Sequence, residues 1–511
     1  MLGNKDFQQI AERGLTVSDI EKQTENFVRG FPYIHLARPA TINDGILFLS
    51  EDDIVKYGEF YDRSEDTGKT VKFVPASGAA TRMFKDLYAF IDLYNGDKEN
   101  YMTFMQSSGL NTIFQLITNI RKFAFYGELA EILKKGGDDI GEMSAMLNYA
   151  GILEAILEKN SLNYGKLPKG LILFHAYEDH CRTAFEEHLA EGLLYCTTGG
   201  DAHLHFTVSP EHLDNFTRLF SEVRGRYEAK ACKRLNVEFS FQKPETDMIA
   251  VNPDNTPFRN PDGTLLFRPG GHGALIRNLN ELDGDLIFIK NIDNVVPEHF
   301  AGDTIRYKKA LAGVLLKYRN RIHEYLRLID AGEASGNKAD EMMAFLKNEL
   351  CVVPHEGISD RIAYIHEILN RPLRVCGMVK NEGEPGGGPF WVKSSNGSLS
   401  LQIVESSQLD GNDGEQIEIL QQSTHFNPVD LICYKTDYNG NAFDLYRFID
   451  HETGFISEKS SGGKKLKAQE LPGLWNGAMA GWNTIFVEVP LSTFNPVKTI
   501  NDLLRKEHSR Q

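Results

Sequence analysis

Lys72-Phe73-Val74-Pro75-Ala76-Ser77-Gly78-Ala79-Ala80-Thr81-Arg82-Met83 is the stretch on which the fold turns. A short apolar strand runs into a turn of small residues, and a helix-like segment comes at once after it. Small residues at a strand-to-helix turn let backbone N–H groups approach a phosphate, and the helix N-terminus adds the positive end of a dipole. Arg82 has the fork geometry to clamp an oxyanion in bidentate fashion. Such a turn is also a packing device in α/β proteins, so the segments downstream of it decide the reading.

The pattern recurs. After Lys166-Leu167-Pro168-Lys169-Gly170 comes an apolar run, Leu171 to Phe174, then a helix around Arg182 to Tyr195 and a strand from His203 to Val208. Val237 to Phe241 and Leu286 to Ile289 read as further strands, the last apolar throughout, as a strand covered on both faces would be. Strand alternating with helix predicts a largely parallel sheet. Two stretches are helix-like for long distances, about 86–165 (Ile113, Leu116, Ile120, Ile152, Ile156) and 303–370, the latter interrupted by Ala334-Ser335-Gly336-Asn337. Residues 1–70 read as a helical lead-in (Ile10, Leu15, Ile20, Phe27) with a loop carrying Pro32 and Pro39. The expected organisation is therefore a lead-in, one α/β domain over 71–504 with two helical insertions, and a tail at 505–511. The basic run Lys464-Lys465-Leu466-Lys467 reads as a solvated loop.

Composition narrows the functional classes. The 511 residues are 41% hydrophobic and 25% charged, which excludes disorder, collagen-like repeats and coiled-coil arrays. A net charge of −16 repels a phosphate backbone, so nucleic acid is not an expected partner. No run of about 18 apolar residues occurs and the opening MLGNKDFQQIAERG lacks a signal-peptide core, so a cytoplasmic, non-membrane protein is expected. Cys181, Cys196, Cys232, Cys351, Cys376 and Cys433 have neither disulfide-framework nor zinc spacing.

Further along, Pro269-Gly270-Gly271-His272-Gly273 precedes a helix, and its glycines permit close approach of a planar group or a phosphate. The strand Leu286 to Ile289 ends in Lys290-Asn291-Ile292-Asp293-Asn294. A carboxylate at the carboxyl end of a parallel strand stands where open α/β sheets place ligands and hard metal ions. A competing constellation is histidine-rich: His175, His180 and His188, with His203 and His205 on one face of a strand. A His-x-His pair can bind zinc, but the spacing to Glu178 and Asp179 matches no zinc signature.

Taken in order, these segments resemble the UDP-sugar pyrophosphorylases, the UTP:glucose-1-phosphate uridylyltransferase-like group of the nucleotide-diphospho-sugar transferase superfamily. Val74 to Met83 looks like the family's glycine-rich nucleotide loop, and Pro168-Lys169-Gly170 like its Pro-Lys-Gly turn. Phe241-Gln242-Lys243-Pro244 resembles the Gln-x-x-Pro element, Gly271-His272-Gly273 the Gly-His-Gly element, and Asn291 to Asn294 the Asn-x-Asp-Asn element. The strongest match is Asn476-Gly477-Ala478-Met479 followed by Val489-Pro490-Leu491-Ser492-Thr493-Phe494-Asn495-Pro496-Val497-Lys498-Thr499. Ser77 and Ala80 stand where the family prefers glycine, and Leu491 and Thr493 replace two arginines.

The resemblance implies a three-layer, Rossmann-like fold of GT-A type with a mixed, mainly parallel sheet. It also implies a reaction between a nucleoside triphosphate, UTP foremost, and a sugar-1-phosphate, with release of pyrophosphate. It would put nucleotide on Ser77, Gly78, Ala79, Thr81, Gln242, Gly271, His272 and Gly273, and a Mg2+ ion on Asp293. The transferring phosphates would lie near Arg82, Lys169 and Lys498, and the sugar near Glu384 and Glu405. Such transfer needs alignment and charge neutralisation and no nucleophilic side chain. A nucleotide-sugar-dependent glycosyltransferase and a non-catalytic nucleotide-binding regulator are the alternatives on the same fold.

Overall fold

A computed structural model of the chain describes residues 2–78, 80–94, 111–383 and 386–509. The strand read from Lys72 onward spans Thr70–Pro75, with every side chain before Pro75 buried. By contacts the chain groups into two units, each discontinuous in sequence.

One unit comprises Lys72–Phe241, Lys290–Ile305 and Ser492–Gln511. Its strands are parallel where the chemistry was expected: Thr70–Pro75 pairs with Asp201–Thr207 in the register Lys72↔Leu204 to Pro75↔Thr207, and Asp201–Thr207 pairs in turn with Arg234–Ser240. The helix Leu213–Ala231 makes the crossover between the last two, so Pro75, Thr207 and Ser240 finish on one edge. In the expected first helical insertion, among the described residues of 86–165, five α-helices lie between Lys85 and Leu157 and there is no strand. Those helices belong to the same core as the sheet: Phe84, Phe90, Leu116, Ile152 and Ile156 pack with Val74, Phe185, Phe206 and Phe216. Apolar residues at helical spacing along Tyr149–Leu157 explain this, since Ile152, Leu153, Ile156 and Leu157 are all buried.

The other unit comprises Met1–Val71, Gln242–Ile289 and Arg306–Leu491. Its main sheet runs in the order Thr41–Ile42, Gly45–Leu47, Asn483–Glu488, Leu373–Lys380, His425–Tyr434, Leu286–Lys290. Leu373–Lys380 is parallel to Asn483–Glu488 and antiparallel to His425–Tyr434, so the sheet is mixed and the protein is α/β. Both His425–Tyr434 and Leu286–Lys290 are buried at every position, as strands covered on two faces must be. The helices Asn4–Glu12 and Val17–Arg29 come first in the chain, the second capped by a Thr16/Asp19 box, and Ile10, Leu15, Ile20 and Phe27 pack on Ile249, Val251 and Leu265. Helices Gly302–Asp330, Asn337–Asn348 and Arg361–Leu369 fill the second helical stretch.

Two local expectations are corrected. Pro39 is not in a loop: it ends the strand Leu36–Pro39, antiparallel to Gly388–Lys393, where an edge position tolerates the missing N–H. The basic run is not a loop either. Lys464–Glu470 pairs with Phe455–Ser461 through a two-residue turn, Gly462-Gly463, whose φ angles of 54° and 77° suit the tight hairpin twist. Among the described residues no helix is long and apolar enough to cross a membrane.

Candidate functional site

The clearest convergence lies within the unit that contains Lys169. Lys169 opens a 3-10 turn, Lys169–Leu171, after the extended Pro168, and its ammonium donates to Asp293 Oδ2 at 2.7 Å and to the Val497 carbonyl at 2.7 Å. Sequence separations of 124 and 328 residues are closed at one nitrogen. The two charged side chains are 15% and 19% exposed, so the pair is shielded yet reachable. Gly170 is required beside it, because a Cβ there would come within 2.9 Å of the Phe216 ring.

The Asn291–Asn294 and 493–498 segments are stitched along their backbones. Val497 N–H donates to the Asp293 carbonyl at 3.1 Å, Asn495 N–H donates to Asn294 Oδ1 at 2.8 Å, and Asn294 Nδ2 donates to the Thr493 carbonyl. From beneath, His188 Nε2–H donates to the Ile292 carbonyl at 3.2 Å; burial and then the Lys72 ammonium hold that ring well below the usual imidazole range, so it is neutral. Lys498 comes directly after Val497. Its side chain is exposed, with the ammonium 5.7 Å from the Phe494 ring centroid, while its backbone N–H is held by Asp502 Oδ2 at 2.8 Å.

The small-residue loop extends from the end of the Thr70–Pro75 strand. Ala76 N–H is tied to the Thr207 carbonyl, and the Ser77 carbonyl accepts from Ser209 Oγ. A Cβ on Gly78 would meet nothing within 4 Å, so the backbone there is open to a ligand. Thr81 and Arg82 are exposed in a 3-10 turn, Ala80–Arg82, and Arg82 pairs with no acid among the described residues. The helix expected at the loop begins only at Lys85, because the 3-10 turn intervenes. Ala79 lies outside the described residues.

The remaining candidates lie in the other unit. Gln242 Nε2 makes a long contact, 3.4 Å, with Thr246 Oγ1. The glycines around His272 are consumed by the chain's own packing. A Cβ on Gly270 would stand 2.5 Å from the Thr246 carbonyl and one on Gly273 2.1 Å from the Pro472 carbonyl, while Gly271 has φ +75°. His272 lies flat against Trp475, centroids 4.2 Å apart at 17°, and its Nδ1 accepts from Leu474 N–H at 3.0 Å. Burial pushes the ring down to about 4, so at neutral pH it is an Nε2–H donor. Glu405 Oε1 accepts from Asn476 Nδ2 at 3.0 Å, which joins the predicted sugar carboxylate to the Asn-Gly-Ala-Met element. Glu384 lies outside the described residues.

The histidine-rich alternative finds no common centre. His175, His180, His188 and His205 each have separate partners, and among the described residues no group of three or more His, Cys, Asp or Glu side chains could hold a metal ion. Asp293 alone would be a poor zinc site. It suits a Mg2+ ion that keeps waters and takes phosphate oxygens for the rest of its shell. Sequence reading missed Glu191, 7% exposed between Lys290 at 2.9 Å and Lys72 at 3.5 Å, with Tyr195 OH at 2.9 Å. Burial raises its carboxyl, but Lys290 and Lys72 outweigh that and hold it below the usual carboxylate range. The signal available was a lysine in each of two apolar strands, Lys72 and Lys290, which need a buried counter-charge.

A family model described as a domain of unknown function (DUF4301) matches residues 3–509. No curated protein matches. Solved structures similar to this chain include UDP-glucose pyrophosphorylase from Leishmania major in complex with UDP-glucose, 13% identical over 99% of this chain and 79% of that one, with a TM-score of 0.44. Another is uridine diphosphate N-acetylglucosamine pyrophosphorylase from Trypanosoma brucei in complex with inhibitor, 12% identical over 95% and 74%, TM-score 0.48. A third, UDP-glucose phosphorylase from Trypanosoma brucei, is 14% identical over 98% and 77%, TM-score 0.44.

Proposed function

The chain belongs to the family described as a domain of unknown function, DUF4301, and from that footing we propose that it is a nucleotidyltransferase joining a sugar-1-phosphate to a nucleoside triphosphate, UTP foremost, in the cytoplasm. The fold this reading implies is a three-layer, Rossmann-like arrangement of GT-A type. The observation that carries it is the meeting of Lys169, Asp293 and Val497, which brings three separately recognised motifs to one ammonium group.

In the proposed reaction an oxygen of the sugar-1-phosphate attacks the α-phosphorus. One P–O bond forms, the P–O bond to the β-phosphate breaks, and the electron pair leaves with pyrophosphate. Lys169, Lys498 and Arg82 are the groups that neutralise the charge developing on the phosphate oxygens. The open backbone at Ser77-Gly78 and the Thr81 hydroxyl offer donors to the triphosphate, and Ala79 shares that loop. Gln242, Gly271, His272 and Gly273 are assigned to the nucleotide, with the neutral His272 Nε2–H as a donor. Glu405, held by Asn476, and Glu384 are assigned to the sugar. Asp293 would hold a Mg2+ ion, which when bound supplies charge neutralisation at phosphate oxygens. Its carboxylate now carries the Lys169 ammonium, so ammonium and cation compete for one carboxylate.

The test is a matrix of nucleoside triphosphates against sugar-1-phosphates, with pyrophosphate release as the readout and a melting scan beside it. A nucleotide at about 100 times its dissociation constant should add about 2.7 kcal/mol to stability. Release with at least one pair supports the proposal. Stabilisation without release selects the non-catalytic regulator, and neither effect with any nucleotide overturns nucleotide binding.

A further inference from the structure

The histidines that share no metal centre have another use. Glu187, on the helix Ala184–Tyr195, is 3% exposed, His175 on the strand Leu173–Ala176 is fully buried, and His508 is 2% exposed. Their side chains join end to end: Glu187 Oε1 to His175 Nδ1 at 3.0 Å, then His175 Nε2 to His508 Nδ1 at 2.9 Å, with the two rings within 14° of coplanar. Tyr177 OH at 2.7 Å and Arg182 at 3.3 Å also bond Glu187, so the carboxylate is fixed from three sides.

From His508 the path leads back to the phosphate-facing block. The backbone N–H of His508 donates to the Arg505 carbonyl at 2.9 Å, and the Arg505 guanidinium binds the Pro496 carbonyl and, at 3.1 Å, the Asp502 carboxylate. Asp502 Oδ2 accepts the backbone N–H groups of Lys498 at 2.8 Å and Thr499 at 2.6 Å. Lys498 itself is exposed and, among the described residues, its ammonium meets the Phe494 ring at cation–π distance, so its side chain does not fix its own backbone. Burial, then the neighbouring His175, push the His508 ring down to about 3, which removes acid–base chemistry as its use. What a neutral, buried imidazole retains is directional hydrogen bonding, and that specifies geometry where an apolar side chain would only fill space.

We propose that His508 is a positioning residue for Lys498: the Glu187–His175–His508 series fixes the 500–509 turn, and through Arg505 and Asp502 it fixes the backbone from which Lys498 reaches a phosphate. The proposal rests on the nucleotidyltransferase reading, and its test separates the two. His508→Ala and Lys498→Ala are made singly and together in the full chain, and kcat and KM for pyrophosphate exchange are measured with melting temperature. The expected loss for His508→Ala is at least about tenfold in kcat, short of the about 10²-fold that a 1 Å misplacement can cost. In the Lys498→Ala background the same change should cost less than about twofold, because the residue it acts through is gone. His508→Asn, which keeps a polar atom where Nδ1 stands, should recover most of the rate. Equal losses in both backgrounds overturn the proposal.

A readout independent of activity covers a parent that exchanges no pyrophosphate, a result that sinks the reaction and leaves the positioning claim to be decided. In His508→Ala the backbone amides of Lys498 and Thr499 should exchange hydrogen about tenfold faster while those of the Ala184–Tyr195 helix are unchanged. Unchanged protection at Lys498 and Thr499 overturns the proposal whatever the enzyme does. Should His508→Ala fail to fold, Asp502→Asn interrupts the same path at the surface and carries the same expectations.

Discussion

Lys498 and Lys169 are both lysines at the proposed phosphates, yet their surroundings predict different behaviour. Lys498 is exposed, so Lys498→Ala should change stability by less than about 0.5 kcal/mol. Turnover should nevertheless fall about 10²-fold, as expected for loss of one preorganised charge-stabilising group. Near-parental exchange in a well-folded variant would remove the residue and the motif around it from the site. Lys169 is mostly buried and paired, so Lys169→Met leaves Asp293 without its cation. That variant should lose exchange but bind Mg2+ more tightly than the parent, since the competing ammonium is gone; titration calorimetry with Mg2+ alone decides it. Both lysines were legible as candidates because their motifs are. Their difference in burial was not, because the Asp293 and Val497 groups that shield Lys169 come from 124 and 328 residues away.

At the scale of elements, the helix Ala184–Tyr195 stands out for its buried polar face: Glu186, Glu187, His188 and Glu191 are all under a tenth exposed. Each bonds a different segment, His188 the Ile292 carbonyl and Glu191 the ammonium groups of Lys72 and Lys290. Glu191→Gln leaves two buried ammonium groups with no carboxylate between them. It should cost about 3–5 kcal/mol, the usual penalty for breaking a buried ion pair from one side, read as a lowered denaturation midpoint. The Gly270–Gly273 turn is a second element with a double demand. Gly273→Ala would drive a Cβ to within 2.1 Å of the Pro472 carbonyl, so it should lower the melting temperature in the absence of any ligand. An alanine variant as stable as the parent would show that the glycine serves ligand approach alone. The sequence marks the turn as special through its glycines; only contact with the 470–473 segment tells which backbone they admit.

Across the whole molecule, buried histidines make stability fall with acid. Burial holds His272 and His323 at about 4 and His508 at about 3, against an ordinary value of 6.5. The unfolded chain therefore binds protons on these rings before the folded chain does, and stability declines as pH falls from about 6.5 toward 4 and below. Melting curves across pH 4–7 should show that decline, and His508→Asn should make it shallower; an identical slope would mean that His508 does not titrate with unfolding. The sequence by itself determined the α/β class, because apolar strands alternating with helices have a period that local chemistry sets. It also marked which short motifs are the candidates for chemistry, because glycine, lysine and aspartate at strand ends are written in the chain. Only tertiary structure decided how those motifs are held. That Lys169 pairs with Asp293, that the glycines at 270–273 admit backbone, and that His175 bonds His508 all depend on segments far apart in sequence, whose meeting no local pattern encodes.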